Sequence, residues 1–249
     1  AKTLPVGPRY VMVEATHTRF SPIKSSFTGV VPMVQVELPQ TQQHILADTA
    51  LGEVMDGDIK LYCLDVFNEY YKERLGFEAK KVVVTTPPRL DGGRFAAVLY
   101  GLVYENADDK MPRCYYMAGG MANGPTRVLY SSKDMSPITS RGGYKPTPFS
   151  SVDHTYHGGL EVDASGWASK LWIDIHEDGK PVHLQLRAEM KPVSNASPVS
   201  PYNLLIQAAC RVAAIADEMG QEVPDLGPLT KVFAAIGRLG YSWKQLPTK

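Results

Sequence analysis

Lys133 stands in Arg127-Val128-Leu129-Tyr130-Ser131-Ser132-Lys133-Asp134-Met135, directly after an apolar run. A lysine so placed can be desolvated, which disfavours the ammonium and lowers its pKa. The neutral amine can then attack a carbonyl carbon to form a Schiff base. The protonated imine draws electrons from an adjacent carboxylate-bearing carbon and permits decarboxylation. The competing reading is a solvated lysine paired with Asp134. A second candidate is the H-x-x-H of His154 and His157, with Glu161 and Asp163 just after it. On a strand, 157, 161 and 163 share a face, and 154 points to the other unless it lies in the preceding loop. Two imidazoles and a carboxylate (His154, His157, Glu161) suit zinc or iron with open positions, and hydrogen-bonding or pocket-lining histidines are the alternative. The glycines of Gly119-Gly120-Met121-Ala122-Asn123-Gly124 permit close approach to an anion, but no helix follows them, so a turn is expected.

These residues must be positioned by strands over most of the chain. Tyr10–Thr18 and Val31–Leu38 alternate apolar and polar residues, the second placing Val34, Val36 and Leu38 on one face. Helical spacing runs from Thr41 to Met55 and is stopped by Asp56-Gly57-Asp58. Further strands are expected at Ile59–Phe67, Lys81–Thr86, Arg94–Tyr104, Arg113–Ala118 and Arg127–Tyr130, then a surface loop over Ser136–Pro148. Thr155–Asp163, Trp167–His176 and His183–Met190 complete the set. The turn Glu177-Asp178-Gly179-Lys180 makes the last two a hairpin. Two helices close the sequence: Tyr202–Met219, apolar almost all round, and Pro228–Leu239. The aromatics Tyr62, Phe67, Tyr70, Tyr71, Tyr115, Tyr116, Tyr144, Phe149 and Tyr156 either fill a core or line a cavity, and both remain open.

The order of these elements resembles the acetoacetate decarboxylase-like family. The shared pattern is a strand, helix and strand, then the Tyr- and Glu-rich Asn68–Glu78 (NEYYKERLGFE). Two strands follow, then Cys114-Tyr115-Tyr116-Met117, and an Arg six residues before Lys133. The resemblance covers residues 30–190 as topology. It implies a lyase that decarboxylates a small keto acid or aromatic acid in an enclosed cavity. Lys133 is then the imine-forming amine or a carboxylate anchor. Arg127 becomes an anion-binding partner beside Tyr116 and Tyr71, while Glu78, Glu73 and His157 are proton-transfer groups. No cofactor is implied. The family's Gly-Arg-Glu is Thr126-Arg127-Val128 here, and its aromatic-Pro-Lys-Lys is Ser131-Ser132-Lys133-Asp134. Asp134, where a second lysine would lower the pKa of the first, raises it instead.

Composition narrows the remaining classes. The 249 residues carry 26 basic and 26 acidic side chains, so there is no electrostatic footprint for nucleic acid. No apolar run reaches the length of a membrane span. P-loop, G-x-G-x-x-G and G-x-S-x-G sequences are absent. Cys63, Cys114 and Cys210 form no C-x-x-C and read as inert buried thiols. No secretory layout opens the chain, and a cytoplasmic location is expected. The expectation is a β-rich α+β protein with an antiparallel curved sheet or barrel around a small-molecule cavity, plus C-terminal helices. It forms a single domain over 1–249, mainly β in 1–193 and helical in 194–249. Its partner is a small-molecule carboxylic acid or carbonyl compound, neither nucleic acid nor membrane. A non-catalytic carrier of an apolar molecule and a His/Glu metal enzyme are the alternatives. The apolar C-terminal helix predicts a homo-oligomer.

Overall fold

The computed structural model describes residues 9–20, 25–41, 54–56, 59–60, 63–86, 89–90, 93–94, 98–119, 126–141, 154–177 and 182–192. The strands in chain order are β1 (Arg9–Arg19), β2 (Ser25–Glu37), β3 (Val54–Asp56), β4 (Ile59–Lys60), β5 (Lys81–Thr86), β6 (Arg89–Leu90), β7 (Gly93–Arg94), β8 (Val98–Tyr104), β9 (Cys114–Gly119), β10 (Thr126–Ser131), β11 (Ile138–Arg141), β12 (His154–Val162), β13 (Ala168–Glu177) and β14 (Val182–Pro192). One helix, α1 (Leu64–Leu75), lies between β4 and β5. Among the described residues, twelve strands form one sheet in the order β11-β12-β13-β14-β1-β2-β5-β8-β9-β10-β3-β4, and β6 pairs with β7 separately. Their pairings are antiparallel except that of β10 with β3.

The sheet is curled so that its two halves face each other. In a flat sheet β8 and β14, four strands apart, would be separated by about 19 Å. Here the Tyr100 hydroxyl of β8 reaches Met190 Sδ of β14 at 2.7 Å. Tyr104, also on β8, donates to the Gly166 carbonyl in the β12–β13 turn at 3.2 Å. Between the halves, Tyr100, Leu102, Tyr104, Tyr115 and Met117 interleave with Tyr156, Leu160, Ile173, Leu186 and Met190 in one apolar core. Among the described residues the ladder begins at β11 and ends at β4, so the sheet is curved and antiparallel without closing into a hydrogen-bonded barrel.

A second core lies on the other side of β5, β8 and β9. Strand β8 is buried on both faces, so Leu99 and Val103 turn away from Tyr100 and Leu102 toward α1. Leu64, Phe67, Tyr71 and Leu75 recur at spacings of three and four and form the buried stripe of the helix. Its first amides are taken by the chain leaving β2, Leu64 N bonding to the Pro39 carbonyl at 2.9 Å. It stops at Gly76, whose φ of 81° is costly for other residues and whose amide returns to Lys72 O.

The structure corrects several sequence expectations. Ile59–Phe67 is not a strand: β4 holds only Ile59 and Lys60, and Leu64 already belongs to α1. The apolar stripe through Tyr71 and Leu75 lets the Tyr- and Glu-rich segment continue that helix. Val54 and Met55 end in β3, beside β10, and not in a helix; 42–53 lie outside the described residues. A strand, β11, forms within Ser136–Pro148 because β12 offers Ile138 and Ser140 partners in Gly158 and Tyr156. The helices expected at Tyr202–Met219 and Pro228–Leu239 lie outside the described residues.

Candidate functional site

The residues expected to carry decarboxylation occupy separate settings. Lys133 is exposed in the connection from β10 to β11, in a solvated setting and not the desolvated one an imine-forming amine requires. Next to it, the Asp134 carboxylate accepts from the Ser136 amide at 3.0 Å and is held below the usual carboxylate range by Ser136. Glu78 is exposed and pairs with Lys80 at 2.6 Å. That ammonium lowers its pKa, the wrong direction for a proton donor at neutral pH. Glu73 is exposed on α1. The backbone of Arg127 lies between Gly119 of β9 and Met55 of β3.

Tyr71 and Tyr116 belong to the helix-side core, Tyr71 stacked on Phe67 at 5.0 Å and Tyr116 against the same ring at 5.8 Å. The Tyr116 ring covers Gly101, where a Cβ would clash with the ring at Cε1. The metal set is also divided. His154 is fully buried on the inner face of β12, edge-on to Tyr156, while His157 and Glu161 occupy the outer face. Glu161 sits about 13 Å further along the strand than His157 and pairs with Lys170 at 3.0 Å. Among the described residues, no three His, Cys, Asp or Glu side chains are grouped to hold a metal.

What the fold does assemble lies on the outer face of β11–β14 and β1. Register places Thr139, His157, Asp174, Gln185 and Thr18 in one cross-strand row. The neighbouring row holds Gly159, Trp172, Arg187 and Thr16. Trp172 covers Gly159, since a Cβ there would meet the indole Nε1 at 2.5 Å. Glycine within a strand here permits close approach of an aromatic ring. His157 stands edge-on to the indole with centroids 4.9 Å apart, and its Nδ1 shares a 2.9 Å hydrogen bond with Thr139 Oγ1. Arg187 lies 5.8 Å from the ring centroid on the other flank. Its guanidinium is pinned by Asp174 at 2.7 Å, the Leu186 carbonyl at 2.9 Å and the Ile173 carbonyl at 3.3 Å.

The result is a half-buried aromatic surface with fixed polar neighbours. Of its members, sequence reasoning singled out His157 alone. One signal for the others was the expected Glu177-Asp178-Gly179-Lys180 hairpin, which pairs the strand of Trp172 with that of Arg187. The register itself, Trp172 opposite Arg187 and Asp174 opposite Gln185, includes a shift between Ile175 and His176 that the turn does not specify. The Gly158-Gly159 pair inside an otherwise apolar and aromatic strand was the second signal.

Comparison of the chain with protein-family models, with curated proteins and with solved structures gives no match.

Proposed function

We propose that this protein binds a small molecule on the outer face of β11–β14 and β1, with Trp172 as the anchor. The observation that carries this reading is the mounting of Trp172 across three adjacent strands. Gly159 makes room beneath the ring, while His157 and Arg187 flank it, each with its own hydrogen-bonding support. A ring held in this way loses little conformational freedom on binding, which is what makes aromatic anchors effective. The decarboxylase expected from the family resemblance would need Lys133, Glu78 and His157 to act together. Their separate settings favour binding over that chemistry. Two buried free thiols, Cys63 and Cys114, suit a reducing compartment, and the cytoplasm is the location we assign.

Thermal-shift screening of a mixed set of aromatic acids, amines, nucleosides and sugars tests the proposal. At least one class should raise the Tm of the wild-type chain and leave Trp172→Ala unmoved. Identical responses from the two proteins would overturn the assignment. Trp172→Phe provides the folding control, because it keeps an aromatic ring over Gly159.

A further inference from the structure

Resting on that binding reading, we infer that the ligand is a neutral saccharide whose ring stacks on Trp172. The charges beside the indole cancel: Arg187 is matched by Asp174 at 2.7 Å, and two backbone carbonyls take up more of its donors. An incoming carboxylate or phosphate would have to compete with those partners for the guanidinium. The adjoining row, about 7 Å away along the strands, sets Glu14, Glu189, Lys170 and Glu161 side by side, and there the Lys170 ammonium is already joined to Glu161 at 3.0 Å. Within the Trp172 row and the His157 row, what surrounds the indole is a mixture of donors and acceptors: Thr139, His157, Asp174, Gln185 and Thr16.

A pyranose matches this arrangement in both respects. The axial C–H groups of one face are apolar and rest on an aromatic ring, while its equatorial hydroxyls both donate and accept at the rim. His157 suits the rim because Thr139 engages Nδ1 and leaves Nε2 for a second bond. Discrimination against charged sugars follows from the pairing of Arg187 with Asp174 and of Lys170 with Glu161, and needs no additional contact.

The test is titration of the full chain, following the indole N–H signal of Trp172 assigned by its loss in Trp172→Phe. The probes are cellotetraose, maltotetraose and mannotetraose as neutral compounds, oligoglucuronate as anion and chitosan oligomers as cation. The expected result is a saturable shift with at least one neutral tetrasaccharide, weakened at least tenfold in His157→Ala and in Gly159→Ala. Oligoglucuronate should bind at least tenfold more weakly than that neutral probe. A Trp172 shift caused only by the anionic or the cationic oligomers would leave the binding site standing and overturn the saccharide class. No Trp172 shift with any of these probes would also overturn it, whereas the mixed screen decides the binding reading separately. Should Gly159→Ala fail to fold, His157→Ala carries the test alone.

Discussion

Tyr116 brings a phenol into the helix-side core, where its hydroxyl is buried with no hydrogen-bond partner among the described residues. Burial raises the pKa of that phenol, so the neutral form persists and the cost is that of an unsatisfied polar group. Tyr116→Phe is therefore expected to be neutral or to stabilise the chain by up to ~1–2 kcal/mol in urea unfolding. A loss of stability would mean that the hydroxyl has a partner after all. Gly101→Ala acts in the opposite direction, because its Cβ would press on the same ring; overpacking of this kind costs ~1–3 kcal/mol. At this scale the sequence was legible where parity decides. The three-residue spacing of His154 and His157 on a strand put them on opposite faces, and that separation divides the metal set. The burial of Tyr71 and Tyr116 depends on how α1 packs, which local sequence does not specify.

Among the elements, α1 is held at its exit by one side chain. Asn68 Nδ2 donates to the Ala79 carbonyl at 2.9 Å, and Asn68 Oδ1 accepts from the Ala79 amide at 2.8 Å. The amide side chain thus pairs with the segment entering β5 much as another strand would. Asn68→Ala removes both bonds, and a cost of ~2 kcal/mol is expected from denaturant unfolding. An effect below measurement error would show that solvent replaces them. The β13–β14 hairpin and most strands were readable because alternation and turn chemistry act locally. The helix was not, because Ile59–Phe67 carries enough apolar residues to mimic a strand. Only the longer stripe through Tyr71 and Leu75 distinguishes the two. Strand β11 escaped for a different reason: four residues in a Gly-, Ser- and Pro-rich stretch become a strand only with β12 alongside.

At the scale of the whole molecule, several phenols and a thiol are locked between layers. Burial raises Tyr100 and Tyr115 from their ordinary value of 10.0 to about 12. It likewise raises Cys114 from 9.0 to about 12. Groups whose folded pKa is raised contribute stability in full below the unfolded value and lose it as pH climbs through the folded one. Stability should accordingly decline between about pH 9 and 12, with phenolate absorbance for these tyrosines appearing together with loss of the β signal in circular dichroism. Phenolate formation by Tyr100 or Tyr115 near pH 10, read as the absorbance lost in Tyr100→Phe and Tyr115→Phe, with the sheet intact would contradict it. The strand order also sets a schedule for folding. β1 sits between β2 and β14, so that Val11 meets both Met33 and Pro192. During synthesis β1 can zip onto β2 early, but its other edge stays open until nearly the whole sheet has been made. Long-range pairings of this kind slow folding, and the exposed flank of β1 is the surface on which a nascent chain would first be prone to pair with a neighbour.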